Sequence, residues 1–332
     1  MNKANRIRLG LPKGSLNTPG RGNTHELFLN AGYDIEGYTP SNESDRHLRI
    51  ANDPEIELFL TRPQSAPIEL SLGLLDIAVV GEDWVLEEAG LNVSVTKVGN
   101  LDYGQTRLVA AIPEEKKYES LTDFFMKKRH RKKPIRCFTE YVNLTRKFFM
   151  ENPGYRSAFG DKAPYVRVRG IVQSQNQKVQ IISSDGVTEG YIAKGADIII
   201  DNTQSGLTLK EYGLKEIGQL METCAGLYAG PSCVDWKKRK SEEIYTQLYG
   251  AQAGKQQFDV KFNVPNSNLE ILKEQLIVAG LCSDEPTTSL RGESYTAVNI
   301  LILREKYPLA LRVLKEYGAS AIVRDEIKQF IR

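Results

Sequence analysis

Asp201 closes an apolar run, Ala196-Asp197-Ile198-Ile199-Ile200, and opens into Asn202-Thr203-Gln204-Ser205-Gly206-Leu207-Thr208. These residue types in this order suit a phosphorylated sugar. Thr203, Ser205, Gly206 and Thr208 offer hydroxyls and backbone N–H groups where a helix begins, and the helix dipole there favours an anion. Asp201, at the strand end, can accept hydrogen bonds from ribose hydroxyls, so the stretch reads as a ribose 5-phosphate cradle. An ordinary strand-to-helix turn capped by a threonine has the same composition, and from this stretch alone the two readings carry equal weight. Near the N-terminus Lys13, beside Gly14, can set a cation against phosphate, although a loop lysine is more often simply solvated.

The elements that must position these groups alternate. Residues 7–11 read as a strand followed by a turn over 12–15, with a helix delayed to 25–31 by the turn-rich stretch 17–23. A strand over 56–62 ends in Arg62, a short helix covers 67–73, and 74–81 is a buried strand followed by a helix start with acids in its first turn. Further strands are expected at 106–112 and 134–138, the latter leading through Thr139 into a helix. Strand alternating with helix at this spacing predicts an α/β fold with a largely parallel sheet. Ligands of such sheets sit off the carboxyl ends of the strands, where Arg62, Glu82 and Asp102 fall. Residues 152–177 have poor periodicity and read as a long excursion with a strand near 165–172.

The last hundred residues change character. A cleanly alternating strand at 258–264, a helix over 268–279, strands at 287–290 and 295–302, a helix over 308–317 and a strand at 320–323 give the order βαββαβ of a ferredoxin-like domain. Ala310, Val313, Leu314 and Tyr317 share one helix face that Gly318 ends. Residues 236–248 read as a charged joining helix.

Composition narrows the classes. At 332 residues, with 26% charged residues and a net charge of +2, the chain predicts two or three globular domains and gives no global signal for nucleic acid or membrane partners. The basic run at 127–133 follows acids and reads as a solvated helix end. With no signal-peptide pattern and no apolar stretch approaching the ~18 residues of a membrane span, a cytoplasmic location is expected. Four scattered cysteines and three histidines support neither a disulfide framework nor a zinc site.

In order along the chain, these pieces resemble the long form of ATP phosphoribosyltransferase. The resemblance is carried by Leu11-Pro12-Lys13-Gly14-Ser15-Leu16, Arg62 with Pro67, the run from Leu75 through Gly81, Glu82, Asp83 and Trp84, and Leu101-Asp102-Tyr103-Gly104-Gln105-Thr106. It continues through Thr139-Glu140-Tyr141, Val187-Thr188-Glu189, the loop at 196–213, and Pro286-Thr287-Thr288-Ser289-Leu290 in the tail. It implies a bilobal catalytic body like that of type II periplasmic binding proteins, with a C-terminal ferredoxin-like, ACT-like regulatory domain. The expected borders are 1–105 with 202–232 for lobe I, 106–201 for lobe II and 233–332 for the regulatory domain.

The resemblance further implies a reaction joining N1 of ATP to C1′ of phosphoribosyl pyrophosphate with release of pyrophosphate. Mg²⁺ is then expected mainly on substrate phosphates, with histidine as inhibitor and assembly as dimers and hexamers. In this reading Asp201 and Glu189 face the ribose, while Asn202, Thr203, Gln204, Ser205, Gly206, Leu207 and Thr208 hold the 5-phosphate. Lys13 and Arg62 take pyrophosphate or triphosphate oxygens, and Asp102 and Thr139 line the cleft. Adenine N1 is already nucleophilic, so no general base is expected. Ser15 stands where many relatives carry arginine, Val142 where proline is common and Ser205 where threonine is. The alternative is a non-catalytic nucleotide- or histidine-sensing protein on the same scaffold.

Overall fold

The computed structural model describes residues 6–20, 22–43, 48–89, 94–169, 171–173, 175–282 and 284–331. The chain divides into two compact units, one of residues 1–24, 37–49 and 54–241, the other of 25–36, 50–53 and 242–332.

The first unit carries two sheets. β1 (Ile7–Pro12), β2 (Ile56–Thr61), α1 (Ala66–Ser71), β3 (Ile77–Gly81), α2 (Glu82–Ala89) and β4 (Thr96–Asn100) come first. The chain then leaves for a second sheet through β5 (Thr106–Pro113), α3 (Leu121–Lys128), β6 (Ile135–Thr139), α4 (Val142–Glu151) and α5 (Pro153–Phe159). β7 (Pro164–Val168), β8 (Ile171–Gln173), β9 (Asn176–Ser183), β10 (Ile198–Thr203), α6 (Leu207–Glu211) and β11 (Leu214–Thr223) complete it, before β12 (Ala225–Ala229) returns. The five-stranded sheet has the order β2-β1-β3-β12-β4, and the seven-stranded sheet β8-β7-β9-β6-β10-β5-β11. β1, β2 and β3 run parallel, as do β6, β9 and β10, whereas the returning strands β12 and β5 run antiparallel to their neighbours. This is the bilobal α/β body expected. Residues 214–223, grouped with lobe I in the sequence reading, pair here with β5 of the second sheet.

Burial explains the strand compositions. All five residues of β3 are buried, and Ile198, Ile199 and Ile200 are fully so, because layers cover both sheet faces. Burying each isoleucine or valine among them contributes about 1.5–3 kcal/mol. Two segments cross between the sheets side by side: Leu101 N–H donates to the Ala225 carbonyl (3.0 Å), and Ala225 N–H to that of Tyr103 (2.9 Å).

The excursion at 152–177 holds more order than its sequence suggests. Asn152 caps α5 by accepting from the N–H of Gly154 (2.9 Å) and Tyr155 (3.2 Å), with Pro153 at the first helical position. β7 and β8 then extend the second sheet; residues 170 and 174 of the excursion lie outside the described set, as do the start of the chain and residue 21 of the early turn. The basic run is not simply solvated either, since Lys128 (2.6 Å) and Arg131 both pair with Asp197, which precedes β10.

In the second unit β13 (Gln257–Pro265), α8 (Leu269–Val278), β14 (Thr287–Arg291), β15 (Tyr295–Leu303), α9 (Tyr307–Glu316) and β16 (Ser320–Glu326) follow α7 (Trp236–Lys255). Their sheet order β14-β15-β13-β16, antiparallel throughout, is the ferredoxin-like topology read from the sequence. Phe258, Val260, Phe262 and Val264 alternate inward against Leu272, Leu276, Ala310 and Leu314 of the two helices. Among the described residues no helix is long and apolar enough to cross a membrane.

Candidate active site

A cavity of about 600 Å³ opens in the first unit, lined from the first sheet's side by Ser15, Pro63, Asp83 and Trp84, and from the second by Glu189 and Asp201. Gly104, Gln105, Thr106, Thr223 and Cys224, next to the crossings, form its base. Of the loop expected to hold phosphate, Asn202, Thr203, Gln204, Ser205, Leu207 and Thr208 line it. Gly206, the remaining residue, takes φ +75°, a left-handed conformation that glycine adopts without penalty. Its N–H donates to Thr203 Oγ1 (3.0 Å), and Leu207 N–H to Ser205 Oγ (3.4 Å). The buried Thr203 hydroxyl therefore braces the loop from within, a role the sequence reading had given to ligand contact.

Asp201 lies within β10, which runs two residues past the acid at which the sequence reading ended the strand, and its Oδ1 accepts the Asn202 N–H at 2.8 Å. Burial, reinforced by the charges of Glu189 and Glu140, pushes its carboxyl up to about 7, against the opposing hydrogen bonds from Asn202 N–H and Thr188. Two carboxylates thus face one cavity, which suits polyhydroxyl or cationic contacts more than a bare anion.

Lys13 and Arg62 follow paired strand ends, since Pro12 is in register with Thr61 and Lys13 N–H donates to the Thr61 carbonyl (2.9 Å). Lys13 is half-buried and Arg62 exposed; neither lines the cavity, although Ser15 and Pro63 beside them do. Asp102 lies in a crossing segment at φ +51°, a conformation aspartate tolerates better than most residues, close enough to Cys224 to raise its thiol's pKa further, after burial. Thr139 is fully buried away from the cavity, its Oγ1 accepting the Tyr141 N–H at 2.9 Å and so holding the start of α4.

The sequence reading passed over the polar chain that joins the two sheets. Tyr141 donates its hydroxyl to Asp83 Oδ2 (2.7 Å), accepts from Asn202 Nδ2 (2.9 Å) and stacks on Trp84 with ring centroids 4.4 Å apart. Asp83 is raised by burial, against the Tyr141 hydrogen bond, and Tyr141 is raised well above a free phenol by burial and then by Asp83. One turn further along α2, Glu87 accepts the N–H groups of Asn143 (2.8 Å) and Leu144 (2.9 Å), capping α4 from the other lobe. Val142 opens that helix, and Tyr141 before it supplies no side-chain cap. The only advance signal was the acids in the first turn of α2.

Gly81 makes this arrangement possible, because a Cβ there would meet Asp83 Oδ1 at 2.3 Å. Gly81→Ala is expected to displace the Asp83 carboxylate from Tyr141, lower turnover about tenfold or more and cost about 1–3 kcal/mol of stability. Steady-state kinetics beside a urea titration check both effects.

Two α/β lobes joined by paired crossings, with an acid- and hydroxyl-lined cavity where they meet, define a bilobal, cleft-binding protein of the type II periplasmic-binding-protein architecture. The family model described as ATP phosphoribosyltransferase matches residues 62–250, more than half of the chain, and the protein belongs to that family. The ATP phosphoribosyltransferase of Thermodesulfovibrio yellowstonii is 29% identical over 332 residues, covering 98% of each chain. That of Pelotomaculum thermopropionicum is 28% identical over 325 residues, covering 96% of each. Among solved structures, a chain of the ATP phosphoribosyl transferase (HisG:HisZ) complex from Thermotoga maritima matches with a TM-score of 0.50 at 22% identity. The match spans 73% of this chain and 96% of that one, and the likeness speaks for the fold.

The protein is accordingly a glycosyltransferase that joins N1 of ATP to C1′ of phosphoribosyl pyrophosphate and releases pyrophosphate, the first step of histidine biosynthesis. The family's reaction needs a divalent metal. Among the described residues no group of three or more His, Cys, Asp or Glu is placed to cage an ion. The Glu189 and Asp201 carboxylates instead suit a hard cation carried largely by substrate phosphates, which needs only one or two protein oxygens.

Proposed function

We propose that Asp201 and Glu189 bind the ribose hydroxyls of phosphoribosyl pyrophosphate while the Asn202 to Thr208 loop holds its 5-phosphate. The observation that carries this reading is the shared cavity, in which the two carboxylates and six residues of the loop face Trp84 and Ser15. Trp84 and Ser15 then form the opposite wall, above Gln105 at the base, and the adenine of ATP lies against it with N1 toward C1′. Loss of pyrophosphate leaves oxocarbenium character at C1′. The neighbouring carboxylates stabilise that developing positive charge, and fixed orientation supplies much of the remaining acceleration. N1 attacks with its own lone pair, so no residue is assigned as general base. Lys13 and Arg62, on adjacent strand ends, reach the departing pyrophosphate or the triphosphate when the lobes close, and Asp102 positions the crossing beneath them. Thr139 acts through Tyr141 rather than on substrate.

The metal in this reading is Mg²⁺: Asp201 and Glu189 would hold it where it meets the protein, and it would supply charge neutralisation at the substrate phosphates. The ferredoxin-like domain serves as an ACT-like sensor through which histidine inhibits, within a dimer or hexamer of this chain in the cytoplasm. Pyrophosphate release and the accompanying near-ultraviolet absorbance rise, followed with ATP, phosphoribosyl pyrophosphate and Mg²⁺ with and without histidine, test the whole. Turnover unaffected by histidine would remove the sensor, and turnover unaffected by chelation would remove the metal's part.

A further inference from the structure

The second unit contains its own cavity of about 620 Å³, a volume typical of small-molecule sites. Tyr245 and Tyr249 on α7, Gln257 at the start of β13, Cys282 after α8, Lys306 before α9 and Phe330 of the C-terminal tail line it. None of these residues belongs to the phosphate loop or the acid-lined cavity.

The tail is a built wall. Phe330 N–H donates to the Gly250 carbonyl (2.8 Å) and Gln329 Nε2 to that of Gln247 (3.1 Å). Gly250 and Gly254, one turn apart on α7, leave the notch in which it lies. A Cβ at 250 would meet Ile331 Cγ1 at 2.6 Å, and one at 254 the Gln329 nitrogen at 2.9 Å. Two glycines inside a 20-residue helix are unfavourable for helix formation, and here they serve the close approach of the tail.

The wall chemistry is specific. The Tyr245 and Tyr249 rings stack with centroids 5.7 Å apart, presenting flat apolar faces. Gln257, 6% exposed at the start of β13, is tied back to α7 by its Nε2, which donates to the Ala253 carbonyl (3.4 Å). Lys306 donates to the Gly280 carbonyl (2.8 Å), which occupies one of its three N–H groups. We propose that this cavity is a second small-molecule site that takes a planar aromatic anion, its ring against the tyrosines and its anion at Lys306.

Cys282, half-buried in the wall, provides a reporter, and Cys224 in the other cavity an internal comparison. The full-length protein is alkylated with iodoacetamide in the presence of adenosine monophosphate, indole-3-acetate or adenosine, and each cysteine is followed by peptide mass spectrometry. At about 1 mM, one of the two anionic probes is expected to slow alkylation of Cys282 at least about fivefold, and adenosine much less. Ala253→Phe, which fills the cavity, and Lys306→Gln, which removes its cation, each abolish that protection while leaving the Cys224 rate as in the parent protein. An unchanged Cys282 rate with both anionic probes overturns the proposal, as does protection that survives both substitutions. Equal protection by adenosine overturns the assignment of an anion. Should Ala253→Phe fail to fold, Lys306→Gln decides alone.

Discussion

Asp201→Asn is expected to lower kcat/KM for phosphoribosyl pyrophosphate by about two to three orders of magnitude, the ~2.7–4 kcal/mol that a preorganised polar group aimed at developing charge commonly supplies. The parent enzyme should also show its carboxyl in the pH profile. Burial and the neighbouring charge of Glu189 hold the Asp201 carboxyl at about 7, so the ionised form, proposed above to bind ribose and metal, grows as pH rises through that value. kcat/KM, which reports the free enzyme, should climb through pH 7 and level above it, and the Asn variant should lose that limb. The same shift acts on stability in the opposite direction. Between 3.8 and about 7 the folded chain holds this proton more tightly than the unfolded one, so Asp201 lowers stability as pH rises across that window. A variant with near-parental kcat/KM and an unaltered profile would remove Asp201 from the chemistry.

The second large effect is on stability. Asp76 is fully buried, and Arg8 reaches it through Nη2 (2.8 Å), Nε (3.1 Å) and its backbone N–H (2.8 Å). Ser232 (2.7 Å) and Lys237 of α7 (2.8 Å) complete its shell. Asp76→Ala leaves Arg8 and Lys237 without their carboxylate and should cost about 3–5 kcal/mol, read as a lower urea midpoint at unchanged slope. Burial alone would raise this carboxyl, but hydrogen bonds from Arg8, Lys237 and Ser232 outweigh it and hold it at about 2, below its ordinary 3.8. Its contribution is therefore fully present above about pH 4 and lost as pH falls through about 2, so the parent should lose stability on acidification in that window and the variant should lose less. A cost below about 1 kcal/mol would mean the cluster is no stronger than a surface ion pair.

The strand, loop and helix around Asp201 and the ferredoxin-like tail were legible because both depend on local signals: an apolar run ending in Asp201, hydroxyls and a glycine before a helix, and clean alternation over β13. Helix α5 went unseen although Asn152-Pro153 is a proper start signal, because the residues after it lack a long apolar period. The basic run looked solvated because Asp197, which pairs with Lys128 and Arg131, stands more than sixty residues away.

The sequence by itself determined the alternation of strands and helices, the buried strands, the acid and hydroxyls of the loop and the family resemblance, since each is written in neighbouring residues or in their order. Only the tertiary structure decided that β11 joins the second sheet, that Thr139 braces Tyr141 instead of facing the cavity, and that Asp83, Tyr141 and Asn202 form one chain between lobes. Those facts rest on hydrogen bonds between residues far apart in the chain, and which distant donor meets which buried acceptor is fixed by packing, which no local pattern encodes.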